Sequence, residues 1–478
     1  MIRLTALYLF TFALITYAWR DWYKSLCGLI LLIGVSQHPD MPTNVLGIQG
    51  LNPWNLILLS VMLAWLSNRH REAGAWDFPP HAGLFLLLYF ALMTVATIRM
   101  TLDWRAAGAE DTTFASVIGE YWINTFKWVL PGVLLFDGAR TRPRVIMGLA
   151  SLLGIYVILG IQVIKWMPPS SVLSESEITF RALKVLQKDV GWSRVNLSML
   201  LGGASWAILA TLPLAKRGLH RGLILFLTFA MVYAQALTGG RTGYATWAAV
   251  GLILGIVRWR RYLLLVPLVL VMVVWLVPGA RGRMLQGVSV SGDSLLSEDE
   301  EPSAYEMTSG RNLIWPYVLE KIGEKPLFGW GREAMTRSGL HRFLLDELGE
   351  SFPHPHNAYL QILFDGGWAG LACVLPFYAV VLFHGFRLFL DSRSPYFVAI
   401  GGVASALVLA LLIASVGSQT FYPREGAVGM WCAFGLTFRL SVERARVARR
   451  SLARSAPSPL GLPIPSPHST RMPTAAIH

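Results

Sequence analysis

Residues 396–414 read YFVAIGGVASALVLALLIA, nineteen positions without a charged side chain. As a helix rising 1.5 Å per residue, such a run covers most of the roughly 30 Å hydrocarbon layer of a bilayer. Comparable runs flank it, at about 4–19, 24–36, 53–66, 82–98, 122–136, 145–166, 196–214, 222–238, 242–257, 262–277, 366–387 and 426–438, thirteen in all. The first two are short and separated only around Arg20 and Asp21, so twelve or fourteen spans fit the same pattern. Composition agrees: 54% of the 478 residues are apolar and 14% are charged, against roughly 25% charged in ordinary soluble domains. A single soluble core is excluded. The expected fold is an all-α polytopic integral membrane protein of about 12–13 transmembrane helices.

The formal net charge is +13. In a soluble chain that surplus would suggest nucleic acid, but here it falls mostly between apolar runs and in the tail, so no nucleic-acid partner is expected. Arg69 and Arg71, Arg140 with Arg142 and Arg144, Lys216 with Arg217 and Arg221, and Arg258 with Arg260 and Arg261 lie in every second connection, the bias of cytoplasmic loops. The tail, 439–478, begins with six arginines and one acid, which also places it in the cytoplasm, and its Pro- and Ser-rich end from Ala456 is expected to be disordered. No small-residue cleavage site follows the first run, which is therefore read as retained. Cys27, Cys373 and Cys432 lie inside apolar segments without metal or disulfide spacing and read as free packing residues.

This topology puts 37–52, 99–121, 167–195 and 278–357 on the opposite face. The last segment, about 80 residues, is too long for a connector. After an acidic start at Glu298 to Glu301, Thr308-Ser309-Gly310 offers an N-cap. Leu313, Ile314, Tyr317, Val318 and Ile322 then keep a helical period until Gly323, and a second amphipathic stretch runs from Arg332 to Leu348. The predicted organisation is an N-terminal bundle at 1–277, an extracytoplasmic helical loop or lid at 278–357, C-terminal spans at 358–438 and the tail at 439–478.

Chemistry concentrates where the loop re-enters the bilayer, at Pro353-His354-Pro355-His356-Asn357-Ala358-Tyr359-Leu360-Gln361. Asn357 suits an N-cap, so His356 would sit beside a helix N-terminus, where a neutral imidazole can take a proton from a hydroxyl and an anion is favoured nearby. Two exposed loop histidines fit the same residues, and His-x-His without a third ligand is a weak zinc signal. Arg241, in Leu237-Thr238-Gly239-Gly240-Arg241-Thr242-Gly243, lies between two apolar runs; an arginine so close to hydrocarbon faces a cavity or a partner unless it snorkels. Arg311, at the start of the loop helix, suits phosphate oxygens or plain solvent. Arg181, Lys184, Lys188, Arg194, Arg337, Arg342 and Arg424 add positive charge to the same face, enough to attract an anionic headgroup or diphosphate. The acidic run reads as solvated rather than metal-binding, and no phosphate-binding or nucleophile-elbow motif is present.

Taken in order, the Thr-Gly-Gly-Arg-Thr-Gly turn, Ser309-Gly310-Arg311, His356-Asn357-x-x-Leu360-Gln361 and Asp365-Gly366-Gly367-Trp368-Ala369-Gly370-Leu371 resemble the O-antigen ligase and polymerase superfamily of bacterial inner-membrane glycosyltransferases. The resemblance covers about 237–371. It implies a multi-pass inner-membrane enzyme with its site facing the periplasm, which transfers a glycan from undecaprenyl diphosphate to an acceptor hydroxyl on a glycan or lipid A core. It further implies His356 as catalytic residue and Arg241 and Arg311 as diphosphate ligands; His354, Asn357, Arg194 and Arg424 are read in support from their positions, and no metal or other cofactor is expected. A lipid-linked oligosaccharide flippase or a noncatalytic envelope scaffold also fits a basic polytopic chain. Transporters, however, more often bury charge near the membrane midplane and show inverted repeats.

Overall fold

The computed structural model describes the chain except residues 1, 46, 70–75, 103–112, 169–176, 178–179, 266, 269–270, 273–274, 276–310, 350, 418–419 and 456–478. Its main helices are α1 (Ile2–Ala18), α2 (Trp22–Leu32), α3 (Pro53–Arg69), α4 (Pro80–Leu102), α5 (Leu130–Gly138), α6 (Arg142–Trp166), α7 (Arg194–Leu209), α8 (Gly218–Leu237) and α9 (Arg241–Val257), then α10 (Arg311–Glu324), α11 (Ala334–Arg337), α12 (Leu340–Leu348), α13 (Ala358–Phe389), α14 (Pro395–Ala414) and α15 (Val428–Ser455). Among the described residues the strands are two-residue hairpin arms, Asn44–Val45 and Ile48–Gln49.

Among the described residues, six helices are long and apolar enough to cross a membrane: α4, α6, α7 with its extension to Leu214, α8, α13, and α14 with its extension to Gly417. The chain is a multi-pass, all-α membrane protein. Shorter apolar helices stand at Arg3–Ala18, Trp22–Val35 and Arg241–Val257. Asp21 separates the first two by accepting the Lys24 N–H at 3.3 Å, so they are distinct helices. The run expected at 122–136 is divided between a wide turn at Gly119–Ile123, a single turn at Asn124–Lys127, and α5, whose first turn holds Pro131, a residue without an N–H to continue a preceding helix. Seven of the sixteen positions of the run at 262–277, and the whole acidic segment 298–301, lie outside the described residues.

Burial ranks the spans. In α14, 89% of the apolar window is buried inside the protein, against 28% in α4 and in α8. The run that decides the fold is therefore the axis of the bundle, while α4 and α8 turn much of their surface to lipid. Small residues let neighbours close on that axis: a Cβ at Gly401 would stand 2.3 Å from the Phe389 nitrogen of α13.

One span is broken, and the break seats the segment that carries α10 to α12, called the lid below. Within α13, Gly367 has φ 64° and ψ −163°, and a Cβ there would lie 2.4 Å from the Leu327 carbonyl. Broken helix leaves unpaired backbone groups, which lipid cannot satisfy. Residues 326–331 satisfy them. Trp368 and Ala369 donate their N–H groups to the carbonyls of Pro326 and Leu327 at 2.8 and 3.0 Å, and Trp330 and Gly331 donate to those of Phe364 and Asp365, both at 2.8 Å. The lid has its own small core, in which Ile314, Val318, Met335, Leu344 and Phe352 pack with Phe364 of α13.

Two expectations change in detail. The amphipathic stretch 332–348 is two helices, α11 and α12, because Gly339 turns into the left-handed region at φ 76°. The last helix does not stop at 438 but continues to Ser455. Its extension is held at the end of the bundle remote from His356 by Arg439 to Asp77 at 2.9 Å and Arg444 to Asp391 at 2.6 Å.

Candidate functional site

The lid reaches α13 through Pro353 to Asn357. Asn357 is extended (φ −152°, ψ 117°), and its Oδ1 accepts the N–H groups of Tyr359 at 2.9 Å and Leu360 at 3.2 Å, the cap its sequence predicts. His356 before it stands at φ 52°, a left-handed conformation costing of order 1–3 kcal/mol in a non-glycine residue and kept only where its surroundings impose it. The surroundings are visible on both sides: Asn357 caps α13, and the Trp315 indole of α10 donates to the Pro355 carbonyl at 2.9 Å. The rings of His354 and His356 meet edge to face with centroids 4.3 Å apart. Burial holds the affinity of His354 for a proton below the ordinary histidine range, and the neighbouring Arg424 guanidinium lowers it further, against a backbone hydrogen bond that raises it.

Both histidines line a cavity of about 560 Å³. Asn357 and Gln361 continue their wall. A second wall comes from Gln187, Trp192, Ser193 and Asn196 at the head of α7, and a third from Thr420, Tyr422, Arg424 and Glu425 in the turn before α15. Apolar side chains of α6, α7 and α14, including Tyr156, Met199 and Leu407, complete it. The lining thus combines imidazoles, amides, a guanidinium and a carboxylate, a set able to bind hydroxyl-rich and anionic groups.

Three of the expected site residues, His354, His356 and Asn357, arrive together because they are contiguous. Arg424 joins them from a segment nearly seventy positions later, by packing. Arg194 is the first residue of α7, between the lining residues Ser193 and Val195, and the Ser193 hydroxyl caps its helix by accepting the Asn196 N–H at 3.3 Å. Arg241 is the first residue of α9 and is not among the lining residues. Its turn packs on α7: the Ser198 hydroxyl donates to the Gly240 carbonyl at 3.2 Å, and a Cβ at Gly243 would fall 1.6 Å from that hydroxyl oxygen, so the glycine is what lets α9 approach. Arg311 heads α10, and its side chain lies outside the described residues.

Sequence reading missed the second wall and Glu425 as site residues. Gln187, Trp192 and Asn196 carry no spacing signal, being scattered polar or aromatic positions around a helix start. The structure also adds an electrostatic feature: α7, α9 and α13 all begin at this end of the bundle, which directs the positive ends of three helix dipoles to one region.

Residues 226–375 match the O-antigen ligase family. The matched segment runs from α8 through the Arg241 turn and the lid to His356 and the broken part of α13, the region in which the motif resemblance was read. No curated protein matches the chain. The match supports a role in ligation or polymerisation of O-antigen or a related polysaccharide.

Proposed function

We propose, from the O-antigen ligase match, that the protein transfers a glycan from undecaprenyl diphosphate to an acceptor hydroxyl of a glycan or lipid A core, at the periplasmic face of the bacterial inner membrane. The observation that carries this reading is the cavity, in which His354, His356, Asn357 and Arg424 share one lining beside converging helix N-termini. The positive-inside bias supports the sidedness, since the arginine-rich turns gather at the opposite end. On this reading segment 278–357 is a periplasmic lid over the spans, and 439–478 is a cytoplasmic tail.

The acceptor oxygen attacks the anomeric carbon, the bond from that carbon to the diphosphate oxygen breaks, and the acceptor proton passes to the His356 imidazole. General-base assistance of this kind is typically worth 10²- to 10⁴-fold. The departing diphosphate gains charge, which Arg241, Arg311, Arg194 and Arg424 would hold, guanidiniums being matched to phosphate oxygens. His354, kept neutral by burial and Arg424, orients the neighbouring ring without competing for the proton.

The test is reconstitution with a lipid-linked oligosaccharide and analysis of the products as longer lipid-linked chains, modified lipid A core or glycoprotein. Transfer that disappears in His356→Ala, with expression and insertion unchanged, is the expected result. Normal transfer in that variant removes the proposed base.

A further inference from the structure

The cavity wall at 420–425 is tied to the lid through one buried carboxylate. Asp365 lies in α13 two residues before the break, 3% exposed. Its Oδ1 accepts the Ala334 N–H at the start of lid helix α11 at 3.1 Å, and its Oδ2 accepts the Tyr422 hydroxyl at 2.7 Å. Tyr422 is itself a lining residue of the cavity. The ring of Tyr422 carries the Arg332 guanidinium at 4.1 Å from its centroid, and that guanidinium also lies 4.7 Å from the Tyr121 centroid. Arg332, a lid residue 7% exposed, is anchored by donating from Nη1 to the Tyr121 carbonyl at 2.6 Å and to Thr125 Oγ1 at 3.1 Å.

A carboxylate and a guanidinium buried in a membrane bundle are expensive, and an apolar latch would hold a lid with less desolvation. What the polar link adds is direction: each Asp365 oxygen has one fixed partner, one on the lid and one on the wall that presents Arg424 and Glu425 to the cavity. We propose that Asp365 and Arg332 are positioning residues for glycan transfer, which act through Tyr422 to place the 420–425 wall when the lid is seated. The assignment rests on the proposed function for its catalytic consequence and on geometry alone for the coupling.

The experiment compares Tyr422→Phe, Asp365→Asn, Arg332→Lys and the double variant Asp365→Asn/Tyr422→Phe in the full-length reconstituted protein. Two readouts are taken: steady-state transfer from a lipid-linked oligosaccharide, and hydrogen exchange of the backbone amides in 420–427. Tyr422→Phe keeps the ring under Arg332 and removes only the hydroxyl. The expected result is a kcat about 10- to 100-fold lower per folded molecule, KM within about twofold, a melting midpoint for Tyr422→Phe lowered only by the loss of one buried hydrogen bond, and a double variant no slower than the slower single one, because the two residues act as a unit. Amide exchange in 420–427 should rise in each variant while that of α14 stays constant. Unchanged exchange, or a kcat that falls only in step with the folded fraction, overturns the proposal. Should the wild-type protein transfer nothing, the functional reading fails, and the exchange measurement still decides whether lid and wall are coupled.

Discussion

At the end of the bundle remote from His356, Asp137 takes Arg69 and Arg140, Asp77 takes Arg439 and Arg446, and Asp391 takes Arg393 and Arg444. At the histidine end, Arg332 lies between the rings of Tyr121 and Tyr422, Arg99 donates to the carbonyl of Gly329 at 2.9 Å, and Arg337 donates to that of Trp330 at 2.8 Å. Both ends are rich in guanidinium, yet the first ties six of them to three carboxylates, while Arg332, Arg99 and Arg337 of the second lie against carbonyl dipoles and aromatic faces. Ion pairing fastens helix ends together, each carboxylate shared between two guanidiniums. Contact with carbonyls and rings holds the backbone of the lid against the spans without a carboxylate at each guanidinium.

The largest expected effect that tests this contrast is at the histidine end. His356→Ala should lower transfer by about 10²- to 10⁴-fold with the melting midpoint preserved, as read in a reconstituted assay beside a thermal denaturation. The aspartate end should respond the opposite way. Asp137→Ala strips Arg69, Arg140 and the Trp65 indole of a carboxylate that is 7% exposed, so it should destabilise the protein by about 3 kcal/mol and leave the turnover of the folded fraction unchanged. Gly367→Ala places a Cβ against the Leu327 carbonyl at a backbone angle reserved for glycine; a loss of about 1–3 kcal/mol is expected, accompanied by faster amide exchange at 326–331 and not at 439–446.

The smallest effect is in pH. The proton affinity of folded His354 is lowered, by burial first and Arg424 second, so between its ordinary value near 6.5 and the lower folded one the unfolded chain binds more protons. Stability should therefore fall as pH drops through and below about 6.5, with a slope of at most about 1.4 kcal/mol per pH unit from this group. His354→Gln should flatten that part of the stability profile, measured by melting between pH 7.5 and 5.

Much of this architecture is legible before folding. Hydropathy marks α4, α6, α7, α8, α13 and α14 because a lipid solvent imposes its demand residue by residue. The Asn357 cap is equally local, needing a side-chain acceptor before an apolar run, whereas the break at Gly367 reads in the sequence only as the start of an apolar run. The split of 332–348 into two helices was hidden because Gly339 sits where an amphipathic period simply continues, and the extension of α15 to Ser455 was hidden because its arginines look solvated until Asp77 and Asp391 are seen against them.

By itself, then, the order of residues determined that the chain is a helical membrane protein, where most of its spans lie, and that His356 stands at a capped helix start, since each of these depends on neighbours within a few turns. Only tertiary structure decided that Trp192, Asn196, Arg424 and Glu425 share a cavity with that histidine, and that Asp365 joins the lid to Tyr422. Those pairings depend on how helices pack side by side, and lateral packing is set by shape and by close glycine contacts between distant segments, which no local period records.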